Sequence, residues 1–500
     1  MGRTGNLSAL DDETPLNGPR IDVAVRVGWV LRMARLVTSD AGPLTLDEVA
    51  SRAGSNTTRL HRLETGRLRE GRLVDGYERA LGLPTGALRA PIDVICRGFA
   101  YAPSERDPGP PVTSVRDMSR LTDRVSQPGA TGGHWLTWAR ALAQPGAIGL
   151  PERLAGELVR SLTSELARSV AHAYPTRYEA LALVRCSAYG HLVLEVAKEV
   201  VSDPHVQVLY DLMSAVGEAP TSDAISWCLE LLDQTREPLV VGGALALENM
   251  AEVSGRPDFW AGLVDSLVDA ADRHPAGSVQ HHWLSHLLRL VPRPLTERSA
   301  RRPRRPLAPA ADMPDWSRTR LNRHWSDCQV RAHSVTDSLG LPDQPVLARL
   351  LFDIAMGPHE SRAVTSYMLL GALPRLRKPI GEHVADIAET HPDPVVRGRA
   401  ARRLAGTLHG DHSAIAQRWI TDGSPDERDR GFVLAGAAGD HVPEPLIREA
   451  LATGPIGPPL YAAGMAGHAC LRSLAGPRSL RPEVRGGARW WLSHGTRVAM

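Results

Sequence analysis

Five hundred residues, 43% hydrophobic and 23% charged, suffice for about two to four globular domains. A formal net charge of +2 excludes a polycation that binds nucleic acid over its whole surface, and no run approaches the roughly 18–20 uninterrupted apolar residues of a membrane span. Five scattered cysteines (Cys96, Cys186, Cys228, Cys328 and Cys470), never in Cys-x-x-Cys spacing, argue against a disulfide framework or thiolate zinc site and fit reduced thiols in cytoplasm.

Residues 1–20 are polar, carry Asp11-Asp12-Glu13 together with Pro15 and Gly18, and lack the apolar core of a signal peptide. They read as a disordered tail. Only two lysines, Lys198 and Lys378, stand among the 58 basic residues, a high-GC coding bias that carries no function.

Residues 21–100 read as short amphipathic helices joined by tight turns. Thr45 and Glu48 have the spacing of a capping box before a helix that buries Val49 and Ala50. Gly54 supplies a turn whose positive φ is cheap for glycine, and Ser55-Asn56 offer caps for the next helix, about Thr57–Glu64. There Leu60 and Leu63 face a core, leaving Thr57, Thr58, Arg59, His61 and Arg62 toward solvent. From Arg52 to Arg72 six arginines stand against Glu64 and Glu70, a local +4 suited to phosphate.

Leu46-Asp47-Glu48-Val49-Ala50, Gly54, Leu60 and Leu63-Glu64-Thr65-Gly66, with Tyr77, Ala80, Leu81 and Gly82-Leu83 beyond, resemble the phage-repressor (Cro/XRE) helix-turn-helix family. The resemblance covers about 65–70 residues and speaks for nothing beyond them. It implies that Thr57–Glu64 is a recognition helix entering the DNA major groove. Thr57, Thr58 and Arg62 would then meet base edges. The Arg62 fork can hold guanine O6 and N7 together. Arg59 and His61 would reach phosphate or an adjacent base, and Arg67, Arg69 and Arg72 the backbone. Glu64 is expected to pair internally with Arg32 or Arg35, and Gly66 to end the helix. Leu46 departs from the glutamine that many members carry at that position.

Residues 101–133, rich in Pro, Gly and Ser, read as a linker with one short helix around Val115–Val125. Residues 134–291 and 316–500 have apolar residues at three- and four-residue spacing, and an Arg/Pro-rich linker, 292–315, separates them. Val396-Arg397-Gly398-Arg399-Ala400 after Pro394 parallels Val484-Arg485-Gly486-Gly487-Ala488 after Pro482, and Asp203-Pro204 and Asp393-Pro394 promise two similar helix starts. These repeats resemble HEAT repeats. The expected fold is therefore all-α: a small N-terminal helix-turn-helix domain followed by a HEAT-like solenoid.

Other chemistry finds little support. His282 and His286 lie one helical turn apart without a third ligand, and His409-Gly410-Asp411-His412 reads as a turn. Val241-Gly242-Gly243 lacks the Lys-Ser/Thr of a phosphate loop. The arginine run from Arg293 to Arg305, local +5, reads as a solvated linker. Of Trp490-Trp491, one is expected to be partly exposed, because neighbours on a helix diverge by about 100°. No catalytic constellation, cofactor or metal site is indicated. The expected function is a cytoplasmic, nucleoid-associated, sequence-specific transcriptional regulator, acting as a homodimer on double-stranded DNA. Its helical region would sense a peptide, small-molecule or protein effector, with no membrane partner. The alternative is a helical-repeat interaction scaffold whose small domain serves localisation.

Overall fold

The computed structural model describes residues 9–38, 42–68, 70–99, 101, 112–299, 301–308, 317–407, 413–476 and 478–499. Among them the regular elements are 27 α-helices and one short 3-10 helix, with a single β-bridge between Ser169 and Val498. No single helix among them is long and apolar enough to cross a membrane.

Five helices form the N-terminal unit: α1 Val23–Val37, α2 Leu46–Ala53, α3 Thr57–Glu64, α4 Gly71–Ala80 and α5 Arg89–Gly98. A first array begins with α6 Val115–Ser126, α7 Gly132–Ala143, α8 Glu152–Leu166, α9 Ala173–Arg185, α10 Gly190–Ser202 and α11 Tyr210–Gly217. It continues through α12 Ser222–Leu232, α13 Glu237–Ser254, α14 Val264–Arg273, α15 Val279–Leu290 and α16 Arg293–Arg298. The second array opens with α17 Arg318–Ser338, α18 Pro345–Ala355, α19 Glu360–Gly371, α20 Pro374–Thr390, α21 Pro394–Thr407 and α22 Ser413–Asp422. It ends with α23 Pro425–Ala438, α24 Glu444–Thr453, α25 Gly457–Met465, α26 Cys470–Ala475 and α27 Pro482–His494.

In both arrays the main packing is between helices one or two apart in the chain: α7 on α9, α11 and α12 on α13, α20 on α21, α22 on α23 and α23 on α25. Near-neighbour stacking of this kind gives an α-solenoid-like architecture. Proline opens many of the second array's helices, where its missing N–H would be unpaired in any case. Buried arginines satisfy carbonyls at helix ends. Arg403 donates to the carbonyls of Asp353 (2.9 Å) and Gly357 (3.0 Å) at the end of α18. Arg185 does the same for Val216 (3.1 Å) in the last turn of α11 and Ala219 (2.8 Å) just beyond it.

The N-terminal unit is wedged between the arrays. Helix α5 packs on α9, α13 and α19, and Arg97 near its end pairs with Glu179 (2.6 Å) and Glu218 (2.7 Å) of the first array. Helix α1 faces the second array. Arg26, fully buried, donates to Asp12 (2.6 Å) and to Asp353 of α18 (2.7 Å), and Arg362 of α19 pairs with the same Asp353 at 2.8 Å. Trp29 Nε1 donates to Gln344 at 2.9 Å.

Several expectations are corrected. Residues 11–20 do not behave as a free tail: Asp11 and the Thr14 carbonyl hold Arg349, and the Pro15 and Gly18 carbonyls accept from Arg362. In the span read as an Arg/Pro linker, α16 is followed by a segment tied to acids of α14. Ser299 bonds Asp265, Arg301 bonds Asp269, and the Arg304 amide donates to Asp272. Asp203-Pro204 opens no helix. Its carboxylate accepts from the His205 amide in a turn, and α11 starts only at Tyr210. Trp490 and Trp491 are both buried (6% and 1% exposed), because the C-terminal end folds back on the first array, where the Val498 amide donates to the Arg168 carbonyl. The turn read at His409–His412 lies outside the described residues.

Breaking a buried ion pair on one side leaves an uncompensated charge, which costs about 3–5 kcal/mol. Arg26→Met should therefore lower the urea midpoint by an equivalent amount, and an unchanged midpoint would show that the network adds nothing. Burial alone would raise Asp12, but Arg26 and Thr14 hold its carboxyl below its usual value. Its contribution is thus present above the unfolded carboxylate pKa and is lost as pH falls through the lower folded one. Asp12→Asn should accordingly flatten the acid side of the stability profile.

Candidate nucleic-acid interface

Local chemistry builds the α2–α3 pair. Thr45 caps α2 in the expected box: the Glu48 amide donates to Thr45 Oγ1 (3.2 Å), and Glu48 Oε2 accepts from the Thr45 amide (2.7 Å). Gly54 ends α2 at φ +65°, a conformation that L side chains rarely adopt. Asn56 then caps α3, accepting from the Arg59 amide at 2.9 Å. Leu60 and Leu63 are buried beneath α3, against the core that includes α1.

The inner side of α3 ends in a buried charge cluster. Glu64, 1% exposed, receives Arg35 in a bidentate pair (2.6 and 2.8 Å) and the Tyr77 hydroxyl, with Arg32 at 3.9 Å. Arg35 is thus the direct partner of the two arginines expected. Burial and the Glu64 charge push the Tyr77 phenol far above its usual pKa, so it stays a proton donor. The close crossing depends on two glycines. A Cβ on Gly28 would stand 2.7 Å from the Glu64 carbonyl and the Gly66 amide, and one on Gly66 would stand 2.5 Å from the Ala24 carbonyl.

The outer side is different. Thr58, Arg59, His61, Arg62 and Arg67 are exposed, as are Arg52 and Arg72. Among the described residues no hydrogen bond or ion pair holds the side chains of Thr58, His61, Arg62 or Arg67. Thr57 is half-buried, and its hydroxyl donates to Asp47 at the start of α2. Arg59 forms an ion pair with Glu70, a partner that the local charge count did not reveal. An exposed pair of this kind is worth about 0–1 kcal/mol, so phosphate can displace it. Arg67 sits in the turn after α3, where its amide and that of Leu68 both donate to the Arg62 carbonyl. Arg69 lies outside the described residues.

No family model and no curated protein matches this chain.

Sequence reading missed Gly28, whose signal was a glycine in the middle of a helix, and Arg26, one of whose partners, Asp353, lies 327 residues away. Of the other candidates, His286 bonds Glu248 at 3.1 Å, and His281, not His282, is the buried member of that group.

Glu64→Gln keeps shape but leaves Arg35 without a counter-charge, and it should destabilise the unit by about 3–5 kcal/mol. Tyr77→Phe should cost about 1.5–3 kcal/mol, the worth of a hydrogen bond to a charged group. Denaturant midpoints check both. Equal, near-zero effects would contradict the cluster's structural role.

Proposed function

We propose that the chain is a sequence-specific DNA-binding transcriptional regulator in which α2 and α3 act as a Cro/XRE-type helix-turn-helix. The observation that carries this reading is the separation of charge across α3. Its one acid, Glu64, is closed inside by Arg35, whereas His61 and Arg62, with Arg67 just beyond, project from a face that the other described residues leave exposed. A planar guanidinium in that place suits the guanine edge, with Thr58 beside it for a thymine methyl or a phosphate. Arg52, Arg67 and Arg72 flank the helix and suit the sugar-phosphate backbone. Thr57 then has a supporting part, since its bond to Asp47 braces the first turn of α3 against α2. In this reading two copies dock on half-sites about one helical turn apart.

Arg62→Ala should weaken binding to the preferred site by about 1–3 kcal/mol and relax preference at one base position. Arg67→Ala should instead weaken specific and random duplexes alike and reduce the salt slope by about one. Fluorescence anisotropy on duplexes over a salt series measures both. An Arg62→Ala protein with unchanged affinity and unchanged preference would contradict the proposed docking.

A further inference from the structure

Where the N-terminal unit meets both arrays there is an open cavity of about 690 Å3, within the roughly 300–1,000 Å3 usual for small-molecule sites. Its walls are mainly apolar. The loop between α4 and α5 contributes Leu83, Pro84 and Ala87, the first turn of α5 Pro91, and the second array Met368 and Pro374. Among the described residues its charged and titratable members are Arg124, His134, His172 and Arg377, with no aspartate or glutamate. Arg377 is half-buried, and its Nε donates to the Gly371 carbonyl at 2.6 Å. Burial brings its guanidinium down to about 10, and no carboxylate counteracts this. Burial and Arg124 hold His134 below its usual value, and burial followed by Arg377 and Arg177 does the same for His172. The first turns of α7 (Gly132, Gly133, His134) and α9 (Ala173, Pro175, Thr176) also border the space, adding the positive ends of two helix dipoles.

We propose that this cavity is an effector site for a small amphipathic carboxylate, an apolar body bearing one terminal carboxylate that pairs with Arg377. Apolar walls select against compact, fully hydrated anions such as free phosphate. The two arginines, Arg124 and Arg377, select against a neutral or cationic analogue of the same shape.

The site also has a mechanical connection to α3, which matters if the regulator reading on which this step rests is correct. Glu78 of α4 accepts the amides of Gly86 (2.9 Å), Leu88 (2.8 Å) and Arg89 (2.7 Å), so the wall-forming loop is tied to α4. Helix α4 packs on α2, the partner of α3. An occupant that favours one placement of the loop therefore biases the placement of the α2–α3 pair, and DNA affinity with it.

Calorimetry on the full chain with decanoate, naphthalene-1-carboxylate and decan-1-ol tests the site without reference to DNA. At least one carboxylate should bind, and decanol should bind about tenfold more weakly than decanoate. Arg377→Met should remove about that preference, and Arg377→Lys should keep it, with circular dichroism confirming that both variants fold. No binding of either carboxylate at millimolar concentration, equal binding of acid and alcohol, or indifference to Arg377→Met would overturn the site. Anisotropy on DNA, with and without the bound carboxylate, should then show an affinity change of about fivefold or more. Unchanged DNA affinity overturns the effector role. A chain that binds carboxylate through Arg377 but no DNA retains the site and refutes the regulator reading instead.

Discussion

Helix α1 carries buried charge on two opposite sides, and the placement of α3 depends on both. Arg26 and Arg35 are nine residues apart, which turns them about 180° from each other and separates them by about 14 Å along the axis. On one side Arg26 meets Asp12 and Asp353; on the other Arg35 holds Glu64 at the end of α3. Neither arginine can be lost cheaply, because each stands in a dry setting where an unpaired partner charge has no water to turn to. The helix is therefore a rigid spine between the second array and the α2–α3 pair, with Gly28 allowing the chain after α3 to pass close against it.

This placement differs from that of a small domain on a flexible tether. Arg97 ties α5 to Glu179 and Glu218 of the first array, while Arg26 ties α1 to the second, so the N-terminal unit is held by both. The outward face of α3, with exposed residues of α2 and α4 beside it, lies on the side of the unit away from these ties. On the proposed reading, the arrays set the angle at which α3 is presented to DNA, and a change in how the arrays meet would change that angle. The cavity at their junction, with Arg377 inside it, is well placed to exert such an influence.

What could be read in the residue order was local. The Thr45–Glu48 box, the turn at Gly54, the extent of α3 and the inward pairing of Glu64 all rest on partners a few residues away or on a known motif. The all-helical architecture followed from apolar spacing in the same way. Long-range matters left no local trace. Arg26 and Asp353 are separated by 327 residues, and nothing near either marks the other as its partner. Residues 11–20 look like a polar tail until the second array supplies Arg349 and Arg362 to receive them. Trp490 is buried where residues of the first array, such as Leu166 and Leu212, border it, a contact between distant parts of the chain. By its own charge the arginine run Arg293–Arg305 reads as solvated, yet the acids of α14 hold part of it.

Genome-wide mapping of DNA bound by the full chain in its own cell addresses the central claim most directly. Discrete peaks that share a short, roughly two-fold symmetric motif, and that vanish in a strain carrying Arg62→Ala at equal protein level, are the expected result. Diffuse recovery with no common motif, or the same peaks in the variant, would show that the exposed face of α3 does not read sequence.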